Sequence, residues 1–130
     1  MAGTPASAAD TLSGMADSLA SLTERLRRFA AERDWDRYHS PKNLAMALTG
    51  EAGELAAEFQ WLTEAESRAL DPERLERVRR EAGDVLLYLA RLADQAGFDL
   101  VEAAHAKIDL NAARYPADQV RGSARKYNEY

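Results

Sequence analysis

Residues that favour β-strands are too scarce in this chain to build a sheet. It has four valines, one isoleucine and five threonines, against 26 alanines and 16 leucines. β-Branched side chains suit strands, whereas Ala and Leu head the helix-propensity order. No strict polar–apolar alternation persists anywhere in the sequence. The expected fold class is therefore all-α, with four to five helices in a bundle.

At 130 residues the chain is one domain by length. Hydrophobic residues at 46% and charged residues at 30% make it neither disordered nor membrane-spanning. Cysteine is absent, which removes disulfides, thiolate zinc sites and cysteine nucleophiles together. The net charge of −5 argues against a nucleic-acid partner. No apolar stretch approaches the roughly 18 residues of a spanning helix, so no membrane partner is expected. The first ten residues lack the basic and apolar regions of a signal peptide, and the cytoplasm is the expected location.

Start and stop signals divide the chain. Residues 1–18 read as a mobile tail, 19–116 as the helical domain and 117–130 as a polar tail. Ser21 and Glu24 form a capping box that opens a helix over 21–34. Asp34 to His39 is a polar and aromatic connector. Ser40 and Pro41 open a helix over 41–62, and Thr63 to Asp71 reads as a loop. Asp71 and Pro72 open a third helix that Gly97 stops near Ala96. Asp99 and Glu102 cap a fourth, over 100–114, which Pro116 ends.

The second and third helices carry nearly the same tetrapeptide, Glu51-Ala-Gly-Glu54 and Glu81-Ala-Gly-Asp84, with 26 residues between Glu54 and Glu81. A spacing of three puts both acids of each pair on one helix face. Measured from Glu51, the apolar residues Leu44, Leu48, Leu55, Phe59 and Leu62 fall at about 20–80°, and Glu54 and Glu58 at about 300–340°. Measured from Glu81, Val78, Val85, Leu89 and Leu92 fall at about 20–80° and Asp84 at about 300°, with Tyr88 between the acids. Both pairs thus border the apolar stripe and point toward the seam between helices. Leu87 lies opposite the stripe and is expected to meet another helix or subunit. An antiparallel hairpin would bring both pairs to one height, since they lie about 12 and 13.5 Å from the connecting loop. Gly53 and Gly83, each mid-helix, predict the close approach of another backbone or a ligand. Four carboxylates in one seam need protons or cations, and an all-oxygen set suits Mg²⁺ or Mn²⁺.

These residues resemble the metal motif of the all-α nucleoside triphosphate pyrophosphohydrolases of the MazG type, and more narrowly the dCTP pyrophosphatase branch. The likeness runs from about residue 22 to the end. It is carried by FAAERDW (29–35), GEAGELAAEFQW (50–61), EAGDVLLYLA (81–90), KIDLNAARYP (107–116) and SARKY (123–127). Leu26 departs from it, standing where the family carries a histidine. The resemblance implies Mg²⁺-dependent hydrolysis of a nucleoside triphosphate, dCTP first, to the monophosphate and pyrophosphate. It implies metal binding by Glu51, Glu54, Glu81 and Asp84, with Glu51 or Glu54 as base on the attacking water. It places Trp35 and Trp61 around the base, and His39, Tyr88, Lys107 and Asn111 near base, sugar or phosphates. It also implies a homodimer or homotetramer.

Lys107, Asn111 and Arg114 fall within about 60° on the fourth helix, a basic and amide face suited to phosphate and sugar. Two alternatives remain at this point. A carboxylate metal-binding bundle of the di-iron kind needs Glu-x-x-His pairs, and the fourth helix offers one in Glu102 and His105. A non-catalytic helical interaction module would use the same apolar faces for a partner.

Overall fold

The structure, a computed structural model, describes residues 18–124. The chain divides into two compact units, Met1–Gly97 and Phe98–Tyr130. The described part of the first holds α1 (Leu19–Glu32), a 3-10 turn (Asp36–Tyr38), α2 (Pro41–Ala57), the short α3 (Glu64–Ser67) and α4 (Pro72–Ala96). The second holds α5 (Leu100–Arg114) and the short α6 (Ala117–Val120). Every regular element among the described residues is helical, as the composition requires. No helix among them is long and apolar enough to cross a membrane.

α4 and α5 keep the expected bounds because their signals are strong. Asp71 accepts a hydrogen bond from the Arg74 N–H at 2.8 Å, Pro72 follows, and Gly97 ends α4 at φ 82°. Asp99 caps α5 through the Glu102 N–H at 2.8 Å. Elsewhere the structure corrects the reading. α1 starts earlier, because Ser18 accepts from the Ser21 N–H at 3.1 Å and takes the capping role expected of Ser21. The expected loop 63–71 contains α3, opened by a reciprocal capping box of Thr63 and Glu66. The segment expected as a polar tail contains α6. Residues 1–17 and 125–130 lie outside the described residues, and with them Arg125 and Lys126.

α2 ends at Ala57, five residues short of the expected Leu62. Beyond it the chain tightens into turns. The Glu58, Phe59 and Leu62 N–H groups bond carbonyls three residues back, at 3.2, 3.0 and 2.9 Å. The Glu58 carbonyl instead accepts from the Arg74 guanidinium of α4. Arg77 Nε reaches the Glu58 carboxylate at 3.1 Å. These bonds join the end of α2 to the start of α4, so the two helices run antiparallel.

α1 stops two residues before its expected end, through a turn without glycine. Trp35 N–H returns to the Ala30 carbonyl at 2.9 Å and Asp34 N–H to the Ala31 carbonyl at 3.1 Å. This is the paired-bond helix terminus usually built on glycine. Here Asp34 occupies the left-handed position, at φ 54°. Aspartate tolerates that conformation better than most residues. The turn delivers Trp35 and the 3-10 turn back toward α4.

Among the described residues the buried apolar ones are Ala30, Leu44, Ala90 and Ala93, so close helix approach relies on small side chains. Large apolar groups stay outside: Met46 is 67% exposed and Leu86 43%.

Asp34→Gly should leave stability unchanged or raise it by up to about 1 kcal/mol, because the exposed Asp34–Arg37 ion pair contributes little. Asp34→Val should cost about 1–2 kcal/mol, since a β-branched residue is strained at this φ. Urea denaturation of the two variants checks both values.

Candidate active site

The antiparallel pairing brings the acidic tetrapeptides together. One carboxylate oxygen each from Glu51 on α2 and from Glu81 and Asp84 on α4 lies within 4.8 Å of the other two. Glu54 sits one turn along α2, close enough to hydrogen-bond either Glu51 or Glu81 when a proton is shared. Glu51 Oε2 and Glu81 Oε2 are buried and have no hydrogen-bond partner. Burial pushes the Glu51 carboxyl above its ordinary pKa, and the Glu54 and Asp84 charges add to the shift. Burial likewise raises Glu81, followed by Glu54 and then by the Asp84 and Glu58 charges.

Orphaned oxygens of this kind call for a proton or a cation. Among the described residues no ion pair reaches any of the four acids, although arginines of α4 pair with Glu58, Glu76 and Asp94. The donor set is oxygen alone, which suits a hard divalent cation. The residues present therefore fit the metal that the sequence motif implies. Glu58, which borders the same stripe, is committed elsewhere: its carboxylate meets Arg77 at 3.1 Å and Arg74 at 3.5 Å.

Beside the cluster lies a cavity of about 220 Å³. Leu26, Phe29 and Ala30 of α1 form an apolar wall, and Leu44 closes it from α2. Trp35 and His39 come from the connector, and Asp84, Leu87, Tyr88 and Arg91 from α4. Asp84 thus belongs to both cavity and carboxylate cluster. Trp35 meets Phe29 edge-to-face, with centroids 5.6 Å apart, and lies 6.4 Å from the His39 ring. The Arg33 guanidinium stacks on Phe29 at 3.7 Å. The cavity is smaller than the roughly 300–1,000 Å³ of sites for drug-sized ligands, and its size suits a single ring.

Of the residues singled out in the sequence, the structure gathers Glu51, Glu54, Glu81, Asp84, Trp35, His39 and Tyr88 in the first unit. Trp61 stands apart from this cavity, in the turns after α2, and is 88% exposed. Lys107, Asn111 and Arg114 lie on exposed positions of α5, in the second unit. Leu87 lines the cavity together with Leu26, Phe29 and Ala30 of α1. The expectation for the two mid-helix glycines is not met within this chain: a Cβ at Gly53 or Gly83 would have nothing within 4 Å. Both glycines lie about 200° from the leading acid of their tetrapeptide. Sequence reasoning passed over Arg91, although an arginine inside the run VLLYLARLA on the Asp84–Tyr88 face was a legible signal.

Comparison with known proteins agrees with this geometry. A dCTP pyrophosphatase 1 from Homo sapiens is 48% identical over 103 residues, 78% of this chain and 61% of that protein. The Bos taurus protein of the same name is 46% identical over the same span. This chain therefore spans about 61% of the length of these curated relatives. A crystal structure of a pyrophosphatase from Archaeoglobus fulgidus superposes with a TM-score of 0.72 at 37% identity, covering 75% of this chain and 92% of that one. Residues 39–117, which include the four acids, match the MazG nucleotide pyrophosphohydrolase domain, and the chain belongs to that family.

Proposed function

We propose that this chain is a Mg²⁺-dependent nucleoside triphosphate pyrophosphohydrolase that cleaves dCTP, or a modified dCTP, to the monophosphate and pyrophosphate. The observation that carries this is the shared wall: Asp84 lines the ring-sized cavity and also belongs to the carboxylate cluster. A base in the cavity would leave its phosphates at the acids.

Glu51, Glu54, Glu81 and Asp84 would hold the cation, Mg²⁺ or Mn²⁺. Bound there, it would neutralise phosphate charge and stabilise the charge that develops on the leaving group. The chain's own groups do the rest. Trp35 offers a ring face for the base, and Tyr88 sits where cavity and acids meet. Water attacks the α-phosphorus, and the bond from that phosphorus to the bridging oxygen breaks. The water proton goes to Glu51 or Glu54, and pyrophosphate leaves. Lys107, Asn111 and Arg114 on α5 supply donors for phosphate and sugar.

The proposal includes assembly as a homodimer or homotetramer. Exposed Met46 and Leu86 lie on the two helices that carry the acids, and water is a poor neighbour for them. In such an assembly Trp61 gains a surface to work against and serves as a second aromatic platform. Light scattering distinguishes the two assemblies.

Glu54→Gln and Asp84→Asn should each abolish pyrophosphate release from dCTP while helical circular dichroism is retained. Excess EDTA should do the same to the unaltered protein, with Mn²⁺ restoring turnover. Turnover in EDTA would defeat the proposal.

Stability should follow the raised carboxyls. A group whose folded pKa is raised stabilises while protonated and loses that contribution as pH climbs through the folded value. Without metal, the unaltered protein should lose stability relative to Glu81→Gln as pH rises from about 4.5 toward neutrality, and Mg²⁺ should reverse the loss. Thermal melts across that range check the sign.

Trp61→Ala should change stability by no more than about 0.5 kcal/mol, as expected of an exposed side chain. If Trp61 stacks on the base, the same variant raises KM for dCTP roughly tenfold to a hundredfold and leaves kcat nearly alone.

A further inference from the structure

Arg91 sits in the C-terminal third of α4 and is 5% exposed. A buried guanidinium needs partners for its N–H groups and for its charge. Its Nε donates to His39 Nδ1 at 3.1 Å, Nη2 to Asp36 Oδ1 at 2.5 Å and Nη1 to Asp94 Oδ2 at 3.2 Å. The Gln95 amide, turned so that its oxygen faces the guanidinium, accepts from both terminal nitrogens at 3.2 Å. Asp94 in turn takes Arg27 of α1, at 2.9 Å from Nε and 2.5 Å from Nη2. Two arginines and two aspartates thus close a network that ties α1, the connector and α4 together.

The His39 contact has a chemical consequence. A guanidinium has no acceptor, so His39 Nδ1 must present its lone pair. Burial and the Arg91 charge hold the imidazole below its ordinary pKa, against the opposing pull of Asp36. A neutral imidazole with a bare Nδ1 carries its proton on Nε2. The α1 wall offers only Leu26, Phe29 and Ala30, none of which has a polar side-chain atom. Stacking on Trp35 accepts any base, because every base has a π face. Polar groups therefore come from the connector and α4, and of these His39, beside Trp35, is the one whose donor is set by Arg91.

We propose that Arg91 is a positioning residue that fixes His39 as a hydrogen-bond donor at Nε2, so that the cavity selects a ring presenting an acceptor on its edge, such as O2 or N3 of a pyrimidine. This rests on the reading of the cavity as a base site. Lysine at position 91 would keep a charge but not the fork that holds His39 and Asp36 at once.

Nitrogen NMR of the full, nucleotide-free chain tests the first half. There are only two histidines, and the spectrum of His39→Gln assigns them. The expected result is the Nε2–H form of His39. The Nδ1–H form, or a fast mixture of the two, would overturn the proposal. The second half is read from variants. Glutamine places its amide nitrogen near Nε2, whereas asparagine reaches only the Nδ1 position. His39→Asn should raise KM for dCTP about tenfold above that of His39→Gln, the loss falling on KM more than on kcat. Equal KM values for the two variants overturn it. Arg91→Lys should mix the tautomers and raise KM by a similar factor. If that variant does not fold, the His39 tautomer and the His39 pair still decide. If the unaltered chain hydrolyses no nucleoside triphosphate, the pyrophosphohydrolase reading fails on its own. Calorimetric titration with dCTP and Ca²⁺ then compares the His39 variants by Kd, with the same outcomes.

Discussion

Antiparallel contact between α2 and α4 gathers groups that repel one another. Glu51, Glu81 and Asp84 would separate if their helices were free, and two of their oxygens have lost water without gaining a donor. Something else must hold the helices in place. Part of it is small-residue packing around Ala90 and Ala93, with Leu44 buried on α2. Part is the clamp at the loop end, where Arg74 and Arg77 take both the carbonyl and the carboxylate of Glu58. The arrangement spends folding free energy to keep an anionic site preorganised, as strained functional sites commonly do.

The cavity depends on a second set of contacts. α1 ends on Asp34 in a left-handed turn, which fixes where Trp35 leaves the helix. Arg91 then receives the connector through Asp36 and His39. The turn and the guanidinium act on opposite ends of a five-residue segment, so Trp35 and His39 are set by α1 and α4 together. A connector with only a single 3-10 turn of its own can be precise when both of its ends are held in this way.

Much of this was legible in the sequence, and the misses have physical causes. Pro72 and Gly97 bracketed α4 because both act through backbone geometry that no neighbour overrides. The acid tetrapeptides revealed their shared seam through their angle to the apolar stripe. The end of α2 was hidden because Leu62 continues the apolar period, while the interaction that releases the Glu58 carbonyl comes from Arg74, 16 residues away. The end of α1 was hidden because its turn uses aspartate where glycine would have announced it. Arg91 escaped notice because its partners, His39 and Asp36, lie 52 and 55 residues away in the chain. The mid-helix glycines suggested a close contact that this chain does not make. A wheel diagram gives direction but not what stands there.

The Glu58 clamp separates two lengths that a hairpin ordinarily ties together. In a plain helical hairpin the loop sets the register, and an added residue slides one helix past the other. Here the register is held at the mouth of the loop by side chains on either side of it. The segment between Ser67 and Asp71 lies outside that clamp, and loop-closure entropy grows only slowly with length. Chain can therefore be inserted there, as a tag or a whole module, without changing the distance between the two acidic pairs.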